Sequence, residues 1–168
     1  MEKKDITVMI GEHGFNFRVA AIIECEGKML LHKPENWDFW NLPGGRVKCG
    51  EQTLSAIKRE LKEELGVTIE ELKLVEVSEN FFAWQGKPAH ELLFVYKIVV
   101  SPDHELYSKQ DFPSLDHDDM VYHWFEKNEI KNYKCLPELI YKWAERNDFD
   151  FEHCSEINPN YYELVDKE

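Results

Sequence analysis

The sequence predicts an α/β fold in a single domain, on three observations. Several runs of β-branched and aromatic residues read as strands, two segments carry apolar residues at the helical period, and clusters of Gly, Pro, Asn and Asp separate them. With 168 residues, 43% hydrophobic and 13% aromatic, the chain can bury one well-packed core and is too short for two ordinary domains.

Residues 15–32 hold two strands, NFRVAAIIEC and KMLLH, joined across Glu26 and Gly27, where glycine can supply the positive φ of a tight hairpin turn. The first is apolar on both faces over residues 19–23, which places it at the centre of a sheet. The following KPENWDFWNLPGG is loop with a short extended piece. Over residues 53–65, Leu54, Ile57, Leu61 and Leu65 recur at intervals of three and four, and Gly66 can close that helix. KLVEVSENFF and ELLFVYKIVV read as further strands, followed by a polar stretch over residues 101–119 and a short strand, MVYHWF. Pro137 marks the start of a second helix, whose stripe of Leu136, Leu139, Ile140, Trp143 and Ala144 packs on a core. From Asn147 the chain is acidic, with interspersed aromatics and no sustained period. It reads as a tail that packs through Phe149, Phe151, Tyr161 and Tyr162 or is partly disordered.

Twenty Lys and Arg stand against 33 Asp and Glu, a formal charge of −13, so the field of the molecule opposes a polyanion unless cations intervene. A nucleic-acid polymer is not an expected partner. The four cysteines, Cys25, Cys49, Cys135 and Cys154, are widely spaced and read as free thiols. The amino-terminal MEKKDITVMI lacks the pattern of a secretory leader, and no segment approaches the roughly 20 apolar residues of a membrane span. The expectation is a cytoplasmic protein with no membrane partner.

Chemistry concentrates in the first helix. Glu60, Glu63 and Glu64 stand at i, i+3 and i+4, within an arc of roughly 100° on one helical face. Like charges so placed repel, and a hard divalent cation with oxygen ligands offsets that repulsion. A solvated acidic helix face is the plain alternative. The wider spacing decides between them: Gly45 is followed after five residues by Glu51 and after seven more by RELKEELGV, over residues 59–67. Seven fixed identities would coincide by chance at well below about one start position in a hundred million, so accident is excluded. Residues 45–67 resemble the complete Nudix box. The WNLPGG lead-in, the HELLFVY strand, Trp124 and Leu136-Pro137 extend the resemblance to about Arg146, so the domain expectation is 1–146 for the hydrolase domain and 147–168 for an acidic tail dispensable for chemistry.

The residues themselves account for parts of this pattern. Gly44 and Gly45 permit close main-chain approach, so a carbonyl of this loop can act as a hard ligand. Arg59 flanks the acidic arc, and Glu51 can reach back to it, tying loop to helix, or forming only a surface ion pair. The resemblance implies an α/β/α sandwich with a mixed β-sheet between helices, and a metal-dependent hydrolase that cleaves a phosphoanhydride bond in a nucleoside diphosphate linked to another moiety. It implies Gly45, Glu60, Glu63 and Glu64 as ligands of one to three Mg²⁺, with Mn²⁺ able to substitute, and an orienting role for Arg59 and Glu51. The partner would be a small nucleotide or diphosphate, and the resemblance allows a homodimer. The general base is Glu60 or an acid of the polar loop, Asp116, Asp118 or Asp119, and Glu60 is preferred because a helix fixes its position. Trp37, Phe39 and Trp40 can form a stacking wall for a base or pack beneath the loop, and the same choice stands for Phe81, Phe82 and Trp84. Trp40, Phe82 and Asp118 are taken as candidate substrate contacts. His90, His117 and His123 show no zinc-like spacing. Two rivals of other classes share the fold: a catalytically idle nucleotide-sensing module, which has no need of all four glutamates and Arg59, and a prenyl diphosphate isomerase, which needs a further acid–base pair that the sequence does not disclose.

Overall fold

Glu26 and Gly27 both adopt positive φ, 49° and 83°, the geometry that lets a two-residue turn follow the twist of its strands. They join β2 (His13–Cys25) to β3 (Lys28–Pro34) in the computed structural model, which describes residues 4–165. Gln85 and Gly86, at φ 51° and 75°, do the same between β5 (Ile69–Trp84) and β6 (Lys87–Val100). The remaining strands and α-helices are β1 (Thr7–Ile10), β4 (Gly44–Arg46), α1 (Thr53–Leu65), β7 (Asp111–Pro113), β8 (Met120–Glu126), α2 (Leu139–Glu145), β9 (Glu152–Ile157) and α3 (Pro159–Val165), with 3-10 turns at Glu105–Ser108 and Lys127–Asn132. Residues 1–3 and 166–168, the ends of the expected domain and tail, lie outside the described residues.

The strands form one mixed sheet in the order β7-β8-β3-β2-β6-β5-β9, with β1 and β4 also pairing with β2. β2 runs parallel to β6 and antiparallel to β3 and β4. Its central place explains its apolar run, because alternate residues serve two cores. Val19, Ala21 and Ile23 pack with Ala56, Ile57, Leu61 and Leu65 of α1, whereas Ala20 and Ile22 pack with Leu139, Ile140 and Trp143 of α2. Each fully buried Leu or Ile adds roughly 1.5–3 kcal/mol relative to an exposed one. This is an α/β/α sandwich.

α1 spans the expected residues and stops at Gly66, whose φ of 68° is left-handed and whose N–H donates to the Lys62 carbonyl. Leu54 of the predicted stripe is exposed, and the buried apolar face of the helix starts at Ala56 and Ile57. α2 begins at Leu139, so Leu136 is not in its stripe: its N–H donates to the Trp40 carbonyl, which holds residue 136 in an extended connection. Of the two expectations for the tail, packed or partly disordered, its described residues are packed: β9 adds parallel to β5 and α3 follows. Phe149 stacks on Trp143 at 5.6 Å and Tyr161 packs on Phe81 at 5.5 Å, while Phe151 and Tyr162 are exposed. Among the described residues no helix is long and apolar enough to cross a membrane, and the four cysteines are unpaired.

Candidate active site

Glycine is demanded twice where β4 meets α1. At Gly44, with φ 145°, a Cβ would lie 2.2 Å from the Val19 carbonyl oxygen, closing the approach of β4 to β2. At Gly45 a Cβ would lie 2.3 Å from Glu60 Cδ and 2.5 Å from both carboxylate oxygens. The main chain of β4 and the Glu60 carboxylate are therefore in direct apposition, and any side chain at residue 45 would separate them.

Arg59 holds this arrangement. A guanidinium has five N–H donors in a fixed plane, and all are used: Nε and one terminal nitrogen donate to the two Glu51 oxygens at 2.9 Å each, the other terminal nitrogen to Glu60 at 2.7 Å and Glu63 at 3.1 Å, and the fifth donor to the Arg46 carbonyl at 3.1 Å. Glu51 also accepts from the Lys48 N–H at 3.0 Å. The expected Arg59–Glu51 pair is thus bidentate and cross-links β4, the loop and α1. Hydrogen bonding to Arg59 holds the Glu51 carboxyl below its usual range, whereas burial raises Glu60 against the pull of Arg59.

Glu64 differs from its two neighbours. It is buried, accepts from the Tyr122 hydroxyl at 2.5 Å, and is pushed up to about 7 by desolvation. Tyr122 lies well above its ordinary value, from burial and from the Glu64 charge. Sequence reading missed Tyr122. The signal was available, since alternation along β8 sends Tyr122 and Trp124 into the core beneath α1.

The donor set suits a hard divalent cation: three carboxylates and a main chain that glycine alone leaves open, on one rigid helix end. A tighter cluster elsewhere does not. Among the described residues, Glu76, Glu152 and Cys154 bring ligand atoms within 4.8 Å of one another, but Lys142 Nζ already donates to all three, at 2.6, 3.0 and 3.4 Å. An ammonium occupies the place a metal would take.

The loop acids are closer to α1 than a free loop would be. Leu115 N–H donates to the Glu64 carbonyl at 2.8 Å and the Ser114 hydroxyl to the same oxygen at 3.5 Å. Asp116, Asp118 and Asp119 follow this anchor and are exposed. Of the three histidines, His117 pairs weakly with Asp116 at 3.8 Å, His123 bonds Asp111 at 2.5 Å, and His90 stacks on Phe81.

Beside β4 lies a cavity of about 260 Å³. Trp37, Phe39, Phe81, Phe82 and Trp84 line it. Trp40 and Asp118 are not among its lining residues. The Trp40 ring meets Phe125 edge-on at 4.9 Å and carries Lys33 at 5.2 Å, which satisfies it as packing, while Asp118 belongs to the loop across α1. Asn80 and Glu91 form a buried floor, with Asn80 donating to Glu91 at 3.0 Å and accepting from Ser78 at 2.8 Å. Arg46 links cavity to box, because its carbonyl is held by Arg59.

The NUDIX domain family matches residues 13–146. An RNA pyrophosphohydrolase of Acinetobacter baylyi is 24% identical over 140 residues, 75% of this chain and 84% of that protein. A CTP pyrophosphohydrolase of Escherichia coli is 47% identical over 53 residues, 29% of this chain and 39% of that one. The crystal structure of the MutT protein from Bacillus halodurans has the same fold, with a TM-score of 0.65 at 20% identity over 87% of this chain and 92% of that one.

Proposed function

The chain belongs to the Nudix family, by the match over residues 13–146, and on that premise we propose that it is a pyrophosphohydrolase of nucleoside diphosphates linked to a second moiety. The observation that carries this reading is the apposition of Gly45 and Glu60, locked by the five bonds of Arg59. Gly45, Glu60, Glu63 and Glu64 would hold Mg²⁺, with Mn²⁺ as a substitute. A cation held there neutralises charge on the diphosphate oxygens and makes the attacking water more acidic.

The protein's own groups do the rest. Glu60 takes the proton of the water as its oxygen bonds to phosphorus; the bridging P–O bond breaks, leaving two phosphorylated or phosphate-terminated products. Its side chain is 13% exposed and rides on a helix, whereas Asp116, Asp118 and Asp119 are exposed. Arg59 and Glu51 position Glu60 and Glu63 and do not touch the reacting atoms. Phe82, with Trp37 and Trp84, offers stacking surface to the nucleoside end, at roughly 1–3 kcal/mol per stacked base.

Relatives named as RNA pyrophosphohydrolases raise the question of a polymer substrate. The charge of −13 and the small cavity favour a mononucleotide derivative over a polymer. The test is a hydrolysis screen over nucleoside triphosphates, nucleotide sugars, ADP-ribose, dinucleoside polyphosphates and triphosphorylated RNA, each with Mg²⁺. Turnover of at least one small diphosphate is expected. Turnover of RNA alone would overturn the mononucleotide reading, and no turnover at all would overturn the enzyme.

A further inference from the structure

We propose that the segment beyond the family match completes the substrate pocket, with Asn158 and Asn160 reading the hydrogen-bonding edge of a nucleobase. The inference rests on the pyrophosphohydrolase reading and narrows it, by assigning base selectivity to a part of the chain outside residues 13–146.

The tail is fixed against the cavity wall. Ile157 pairs with Phe81 in the parallel β9–β5 register, and the Asn158 N–H extends that pairing by donating to the Phe81 carbonyl at 2.8 Å. On the other side the Glu156 carboxylate accepts from the Glu138 N–H at 3.2 and 3.1 Å, just before α2. Glu156, Asn158 and Asn160 therefore border the cavity as ordered groups.

The cavity's chemistry sets the ligand's orientation. Its aromatic walls suit a planar heterocycle, and its volume of about 260 Å³ lies below the usual range for drug-sized ligands, enough for one such group. Glu156 on its lining repels phosphate, whereas Glu91 is paired with Arg18 at 3.8 Å. Arg46 lies on the side joined to the box through Arg59, so the diphosphate points to the box and the base points to the tail.

The two asparagines are the amides that the tail adds to this lining, beside Asn16, Arg18 and Asn41 from the domain. Asn80 is committed to Glu91 and Ser78 within the floor. Asn158 Oδ1 accepts from the Asn160 N–H at 3.0 Å, which fixes its amide and leaves the NH₂ as a donor. The Asn160 side chain is exposed. An amide presents both donor and acceptor, so it distinguishes bases by their edges where aromatic stacking does not.

The experiment is an equilibrium titration of the full chain with AMP, GMP, CMP and UMP, read by tryptophan fluorescence, since Trp37 and Trp84 line the cavity. Asn158→Asp keeps the oxygen that accepts from Asn160 and replaces the donor by an acceptor; Asn160→Ala removes an exposed side chain. Circular dichroism checks both folds. At least one nucleotide should quench saturably, Asn160→Ala should weaken it about fivefold or more, and Asn158→Asp should change the rank order of the four. Unchanged affinities and rank order in both variants, or no saturable quench with any nucleotide, would overturn the assignment. Binding that shifts as expected, in a protein that hydrolyses nothing in the diphosphate screen, would instead sink the hydrolase reading and leave the pocket assignment standing.

Discussion

Two of the buried glutamates, one beneath each helical layer, are partnered differently. Glu76, fully buried under α2, receives the Lys142 ammonium at 2.6 Å and the Trp143 indole N–H at 2.7 Å. Glu64, 3% exposed under α1, receives only the neutral Tyr122 hydroxyl and is pushed up to about 7 by its burial. A buried carboxylate is costly unless a cation accompanies it. On the α2 side the chain provides that cation, and the cluster is a structural tie. On the α1 side Arg59 is spent on Glu51, Glu60, Glu63 and the Arg46 carbonyl, so the burial of Glu64 is tolerated where an external cation would improve it.

Four experiments can break or sharpen this contrast. Glu60→Gln should lower turnover by a factor of about a hundred or more at saturating Mg²⁺, as loss of a general base does, with Asp116→Asn, Asp118→Asn and Asp119→Asn near wild type in the same assay. A loop variant that falls instead would move the base to the loop, whose anchoring to Glu64 makes it a better-ordered rival than its composition suggests. Lys142→Ala should cost about 2–3 kcal/mol of stability in urea titration, because Glu76 would keep a buried charge with no cation, while kcat of the folded fraction stays within about twofold. Arg59→Ala should lower kcat by about 10–100-fold through misplacement of Glu60 and Glu63, with circular dichroism unchanged; wild-type turnover would reduce the pair to a surface ion pair.

The smallest effect concerns His32, which burial first and Arg18 second push down from 6.5 to about 3. Its folded value is depressed, so the unfolded chain takes up the proton as pH falls below about 6.5. Stability is lost progressively from there toward pH 3. Replacing it by the non-titrating His32→Gln should remove about 1–2 kcal/mol of the destabilisation seen between pH 7 and 5, measured by thermal melts; parallel pH profiles would show that His32 is hydrated.

How far the sequence could disclose this molecule depends on what each element faces. α1 was legible to its last residue because Ile57, Leu61 and Leu65 meet an apolar core and Gly66 supplies the left-handed stop. β2 was legible as central because both of its faces are apolar. β9 was not. Its inward residues are Glu152, Cys154 and Glu156, chosen to meet Lys142 and the start of α2, so no hydrophobic alternation marks it. At the site, spacing along one helix located the carboxylates and the Arg59–Glu51 pair, since helical geometry converts spacing into position. The wall around the cavity has no such rule: Trp37, Phe39 and Trp40 sit in irregular loop, where nothing in their spacing tells that the first two face the cavity and the third packs on Phe125. Tyr122 and the tail asparagines reach the site only through tertiary contacts.

The central claim is that the α1 face is completed by a divalent cation. It is tested most directly by following phosphate release from the best substrate of the screen while metal is removed with excess EDTA and returned as Mg²⁺ or Mn²⁺. The account predicts that turnover vanishes on chelation and is restored by either ion, with the protein folded throughout by circular dichroism. Full turnover in excess EDTA would contradict it.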